Sequence, residues 1–216
     1  MLLLLPLLFN RGFAGDNDGY NDCNYVLKND DFSDGTFRIQ KSGRYCLGED
    51  ISFNPRPGSA DRPNDYGAWW PVNEKLYPGS VKHDNGGWAL GFFAALSIET
   101  SHVELDLMGY EISMAKEFYL QQRFCNLIEV QNAPFNFGQG PANFGQSVQR
   151  IKNVHIKNGR LGRSSHNGIH GFDVDNVCVS NLKIYNFEVA GLQFNGFNDV
   201  DIRNVDIGPS ATDVPF

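Results

Sequence analysis

Three segments toward the C-terminal end of the chain repeat one another: NVHIKNGRLG from Asn153, NVCVSNLKIY from Asn176 and DVDIRNVDIG from Asp199. Each starts 23 residues after the one before. The same shift superimposes Asn158, Asn181 and Asn204, and it lays Gly168-Ile169 over Gly191-Leu192. A fixed period of this length means that one structural unit stacks on copies of itself, which excludes folds built around a single irregular core.

Within each unit the apolar residues alternate. Val154 and Ile156 lead to Leu161; Val177 and Val179 lead to Leu182 and Ile184; Val200 and Ile202 lead to Val205 and Ile207. A period of two in β-branched residues fits short strands and not helices. A further strand opens each unit at Ile169-His170 and at Leu192-Gln193-Phe194. About three short strands separated by Asn or Gly turns therefore fill each period, and such coils stack as a parallel, all-β solenoid. The column Asn158, Asn181, Asn204 is expected as an internal ladder at one corner, because Asn tolerates turn conformations and its amide bonds to the backbone of its neighbours.

Upstream, ALSIETSHVELDLMGYEISM (Ala95 to Met114) carries the same alternation in Val103, Leu105 and Leu107 before a turn at Met108-Gly109. Together with FRIQKSGRYCLGEDISF (Phe37 to Phe53), it resembles the opening coils of right-handed parallel β-helix proteins of the pectin-lyase-like superfamily. Proteins of that kind commonly begin with a glycine-turned strand pair, an insertion, and an apolar strand leading into a Leu-Asp-Leu and glycine turn. The likeness runs from Phe37 to Ile207, and Met108 stands where the family often has Asn. What the resemblance implies is a right-handed parallel β-helix. It implies no single activity, because this scaffold carries lyases, hydrolases, epimerases, adhesins and viral spikes.

The chain has 216 residues, 41% apolar and 20% charged, enough for one globular domain with a core. A net charge of -7 and a pI near 5.1 exclude a nucleic-acid surface, which needs a dense basic field. The apolar run Leu2 to Phe9 is too short to span a membrane. With Gly12 and Ala14 behind it and a polar stretch following, residues 1–15 read as a secretory signal, although the usual positive start is missing. Cys23, Cys46, Cys125 and Cys178 show no CxxC spacing, which argues against a zinc or redox motif; a Cys23–Cys46 disulfide suits an exported chain. The expected organisation is a leader over 16–36 and a β-helix over 37–216, with loop insertions at 54–91 and 134–146. The chain stops just after a full coil, where an exposed strand edge needs a cap, a partner or further coils.

The first insertion is rich in Pro and Gly and carries Trp69, Trp70, Tyr77 and Trp88. Trp69, Trp70 and Trp88 are candidate sugar-stacking residues, since an aromatic face offers a flat apolar partner to pyranose C–H groups. Capping the open end of the helix would also account for them.

HNGIHGFDVDN, from His166 to Asn176, gathers two histidines and two aspartates in one stretch. The repeat shift lays His166 over Val189, His170 over Gln193, Asp173 over Gly196 and Asp175 over Asn198, so these polar residues form no repeated ladder. His170 follows inward-pointing Ile169 and is expected to point outward. His170, Asp173 and Asp175 are accordingly candidate catalytic residues, against the plain alternative that they are turn formers. RIK at Arg150 to Lys152 and HG at His170-Gly171 match catalytic motifs of polygalacturonases, but in reversed order and without the paired acids that glycoside hydrolysis requires. GFDVDN is similar to the active-site stretch of alginate C5-epimerases over too few residues to carry roles across.

The outer face of the repeated strand is the second candidate. Stacking places His155, Cys178 and Asp201 in one column and Lys157, Ser180 and Arg203 in the next, with Arg160 and Lys183 facing out from the following strand. Lys157, Arg160, Lys183 and Arg203 are suited to uronate carboxylates, and neutralising a uronate acidifies its neighbouring C–H for His155 or His170 to remove as base. The expected partner is thus an acidic polysaccharide, handled by lyase or C5-epimerase chemistry, at a cell surface or outside the cell. No nucleic acid and no membrane span is expected, and oligomerisation is left open. No cofactor is required; calcium is the one cation that DNDGYND (Asp16 to Asp22) suggests, without the spacing of an EF-hand loop. The alternative is a non-catalytic structural or adhesive β-helix of a cell surface or virus particle, whose outward residues are polar only for solubility.

Overall fold

The computed structural model describes residues 20–54, 92–120, 124–131 and 149–210. The expected signal segment, nearly all of the 54–91 insertion with Trp69, Trp70 and Trp88, and the 134–146 loop lie outside them.

The strands are β1 (Tyr25–Leu27), β2 (Phe37–Ile39), β3 (Gly43–Leu47), β4 (Ile51–Phe53), β5 (Phe92–Ile98), β6 (Val103–Asp106), β7 (Glu111–Met114), β8 (Phe124–Val130), β9 (Ile151–Leu161), β10 (Asn167–Ile184) and β11 (Ala190–Ile207). All join one 11-stranded sheet, in the order β1-β3-β6-β9-β10-β8-β5-β2, with β11 on β10 and β4 on β7. Every pairing is parallel. The fold is all-β, and its sheet curls into a half-barrel. Residues superimposed by the repeat shift are register partners: Val154 faces Val177, which faces Val200.

The short strands expected in each period run together. β10 is one strand of 18 residues that bends and does not stop, pairing with β8 through Ile169 to Gly171 and with β9 through Val174 to Ile184. Its bends are single residues in the left-handed conformation: Asp173 (φ 52°), Asn176 (52°) and Asn181 (54°). Eight of the ten non-glycine residues with positive φ among the described residues are Asn or Asp, the side chains that tolerate this region best. A one-residue corner turns the chain while leaving the residues on either side paired to the neighbouring strands.

Corner asparagines form the expected ladder. Nδ2 of Asn204 donates to Oδ1 of Asn181 at 2.8 Å, Asn181 donates to Asn158 at 3.1 Å, and Asn158 donates to Asp106 at 3.1 Å. The ladder is not internal, however, and its carboxamides bond to one another and not to the backbone. Asn181 and Asn204 are exposed, because a left-handed corner residue with its neighbours pointing inward throws its own side chain outward. A second outward column joins Asn176 to Asn153 at 2.6 Å. Met108, the departure from the resembled family, itself adopts φ 52°.

The alternating residues face the core: Val154, Ile156, Leu161, Val174, Val177, Val179, Leu182 and Ile184 are all nearly or fully buried. In β11 the same pattern continues without cover among the described residues. Ile202 is 50% exposed above fully buried Val179, and Ile207 is 47% exposed above fully buried Ile184. Burial on the stack accordingly depends on having a neighbour on both sides.

Equivalent truncations at two levels of one column should separate these environments. Ile156→Ala removes a side chain packed on both sides and is expected to cost about 2–5 kcal/mol, whereas Ile202→Ala at the open end should cost about 1 kcal/mol or less. Urea unfolding of both variants checks this, and equal losses would mean that β11 is covered.

Candidate functional site

Because the chain is extended, side chains of one column on β3, β6, β9, β10 and β11 lie on the same outer face, about 4.8 Å apart from strand to strand. One column reads Arg44, Glu104, His155, Cys178, Asp201; its neighbour reads Cys46, Asp106, Lys157, Ser180, Arg203. Arg44, Glu104, His155 and Cys178 of the first column line a groove of about 440 Å³ together with His102 and Asn153, and the second column runs beside it. The expected juxtaposition of His155, Lys157 and Arg203 is therefore present.

Charge in this groove is locally cancelled. Glu104 meets Arg44 Nε at 2.9 Å and Lys157 Nζ at 3.0 Å. Asp106, almost fully buried, accepts Arg44 Nη2 at 3.1 Å, lies 3.6 Å from Lys157 Nζ, and also accepts the Met108 amide and the Asn158 carboxamide. Arg203 pairs with Asp201. The Cys23–Cys46 disulfide ties the N-terminal segment to this end of the face, with Cys46 the register partner of Asp106.

His155 is half-buried, and its Nε2 shares a 2.8 Å hydrogen bond with the Ser180 hydroxyl. Burial, then the Lys157 ammonium, holds the imidazole below its usual pKa, against the opposing pull of Glu104 and Asp106. It is accordingly a neutral ring at neutral pH, in the form a base needs. The thiol of Cys178 is reduced and half-buried on the next strand.

The other sequence-derived candidates lie elsewhere. Arg160 donates to the Gly109 carbonyl at 2.9 Å and pairs with Glu111 and Asp50, while Lys183, its register partner, sits 5.9 Å from the Tyr185 ring. Asp173 binds Arg150 at 2.6 Å and Asp175 lies 3.5 Å from Lys152, so RIK and the two aspartates pair with each other across adjacent strands. Neither aspartate reaches the groove lining.

His170, expected to point outward as a candidate catalytic residue, faces away from Ile169 but does not reach solvent. His170 is completely buried, its Nδ1 2.7 Å from Oε1 of equally buried Glu129, and its Nε2 3.1 Å from the Asn195 carboxamide. The reason is that β8 is buried on both faces from Cys125 to Val130, as are the first five residues of β10. Pointing out of the half-barrel is therefore not the same as reaching water. Burial pushes the Glu129 carboxyl up, against the hydrogen bonds from His170, Asn126 and Gln131 that favour its charged form. A satisfied pair of this kind joins strands; it has no open side on which to meet a substrate.

Sequence reasoning missed Arg44, Glu104, Asp106 and Glu129. None belongs to the 23-residue repeat; alternation in VELDL was the only available sign that Glu104 and Asp106 share a face. Among the described residues, no group of three or more His, Cys, Asp or Glu is arranged to hold a metal ion, and no helix is long and apolar enough to cross a membrane. Compared with protein-family models, curated proteins and solved structures, the chain matches none.

The two histidines should respond unequally to truncation. His170→Ala leaves Glu129 buried without its partner and is expected to cost about 3–5 kcal/mol. His155→Ala loses one half-exposed hydrogen bond, about 1 kcal/mol. Chemical unfolding of both variants is the check, and a fully stable His170→Ala protein would overturn the structural role assigned to this pair.

Proposed function

We propose that this chain is an exported right-handed parallel β-helix of the pectin-lyase-like kind, with 23-residue coils in its last part, that binds an acidic polysaccharide along the outer groove and acts on it by elimination or C5 epimerisation. The observation that carries this reading is the His155 imidazole, which lines a groove together with Arg44 and stands two residues from Lys157 on the same strand. Stacked in-register strands and left-handed Asn corners support the fold assignment. The Cys23–Cys46 disulfide supports export, since such bonds persist in oxidising surroundings.

On this reading a uronate carboxylate exchanges with a protein carboxylate for Lys157 or Arg203. With its charge offset, the sugar's C5–H becomes acidic enough for His155 Nε2 to remove. For this the Ser180 hydroxyl must first swing away from that nitrogen. The carbanion then expels the C4 oxygen, which leaves as an alcohol with the proton from His155 and gives an unsaturated uronate, or takes a proton from water on its opposite face, giving the epimer while His155 releases its proton to solvent.

The second reading, a structural or adhesive β-helix, draws on the ion pairs themselves. Arg44, Lys157, Arg160 and Arg203 all have carboxylate partners within the chain. A face so neutralised is complete without a ligand.

Incubation with a panel of uronate polymers, with and without calcium, followed by unsaturated-product absorbance and by NMR of the C5 configuration, decides between them. Product formation should fall by roughly a hundredfold or more in His155→Ala. Because the folded His155 is held below 6.5, its base form survives further into acid than a free imidazole, so the acid limb of kcat/KM should lie below pH 6.5. In Lys157→Gln the limb should move upward, since one cause of the depression is gone. No reaction and no binding with any polymer would favour the structural reading.

A further inference from the structure

The resting partner of His155 is a hydroxyl. Ser180 Oγ lies 2.8 Å from Nε2, and with the ring proton on Nδ1 the hydroxyl donates to that nitrogen. This is the geometry of a serine whose proton a neighbouring base can take. The setting adds two further parts. Ser180 is the register partner of Lys157 on one side and of Arg203 on the other, so a cation stands on each adjacent strand, about 4.8 Å away along the column. Lys157 bonds two carboxylates and Arg203 one, whereas an ammonium carries three donors and a guanidinium five. Glu104 and Asp106 lie near enough to His155 to favour its protonated form, the form it takes once it holds the serine proton.

We propose that Ser180 is a nucleophile and His155 its general base, giving the outer face beside the groove a carboxylic-ester hydrolase activity. Ser180 Oγ adds to the ester carbonyl carbon while His155 Nε2 takes the hydroxyl proton. The negative charge gathers on the carbonyl oxygen, between Lys157 and Arg203 on the strands to either side of Ser180. Collapse of the tetrahedral adduct breaks the bond to the alkoxy oxygen, and the alcohol leaves with the proton from His155. Water, deprotonated by the same nitrogen, then adds to the acyl-serine; the acid departs and the proton returns to Ser180. The activity shares the groove with the polysaccharide reading but does not rest on it, because a small ester needs only Ser180, His155 and the two cations. The two chemistries also differ in what they ask of Ser180, which must stay on Nε2 for ester attack and leave it for elimination.

The test uses the full chain and two probes that are not polymers. p-Nitrophenyl acetate should give acyl-enzyme and turnover, with p-nitrophenolate release reduced by roughly a hundredfold or more in Ser180→Ala and in His155→Gln. A fluorophosphonate should label Ser180 of the unaltered protein, located by peptide mass spectrometry, so one readout needs no variant to fold. Labelling absent from Ser180, labelling at Cys178 instead, or an unchanged rate in Ser180→Ala would each overturn the proposal. A protein that labels at Ser180 yet ignores every uronate polymer upholds the esterase and removes the polysaccharide reading. One that eliminates or epimerises a polymer without touching either probe does the reverse.

Discussion

A chain that stacks on itself must turn corners without breaking the hydrogen bonds that tie each pass to the next. Here that constraint is met by single residues in the left-handed conformation, at Asn153, Asn158, Asp173, Asn176, Asn181, Asp199 and Asn204. Since the bend is one residue wide, the residues on either side remain in register with their counterparts 23 positions away. Register then determines everything else. Inward residues form apolar columns that bury one another, and outward residues form columns whose chemistry is the sum of the residues at one position on successive strands. The asparagine side chains reinforce the same geometry from outside, each carboxamide donating to the next.

Two kinds of polar column result, and they behave differently. On β5, β8 and the start of β10 the outward residues Ser97, Glu129 and His170 are buried, so each needs a partner inside the protein. Unpaired polar groups in that environment cost far more than they would at a surface, and paired ones hold strands together. On β6, β9 and β10 the column from Glu104 through His155 to Cys178 stays half-open, beside almost fully buried Asp106. Asp106 links the two regimes. It ends the asparagine ladder, accepts the Met108 amide at a left-handed corner, and anchors Arg44 in the groove.

How much of this was legible follows from which contacts the repeat governs. The neighbours of Val154, His155, Lys157 and Ser180 on β10 and β11 could be read directly from the 23-residue shift, and so could the pairing of His155 with the Ser180 column. Glu129 could not. It meets His170 across 41 residues, a separation set by an insertion with no period of its own. The same holds for Arg44 and Asp106, which lie 62 residues apart and reach the groove through offsets that no internal comparison supplies. Alternation along a strand gives direction and not exposure. His170 does face away from Ile169, but alternation reports only the side of the strand, and both sides of that strand are buried. The asparagine ladder was misplaced for the converse reason: its periodicity was visible, whereas the outward cast of a left-handed residue was not.

The ion pairs set the terms on which an anionic ligand would enter the groove. Any carboxylate from outside must displace one already present, so the gain is an exchange and depends on how readily the displaced group returns to water. The Lys157 side chain is 20% exposed and shares Asp106, whose side chain is 3% exposed; freeing Asp106 would leave a carboxylate stranded beside the core. Arg203 is 74% exposed and its partner Asp201 38%, so that pair can open toward solvent at little cost. An acidic chain would therefore engage the β11 end of the face first and leave the Asp106 centre intact. That order keeps Lys157, which with burial holds the His155 pKa down, in place as the ligand arrives, and alters only the smaller contribution of Arg203.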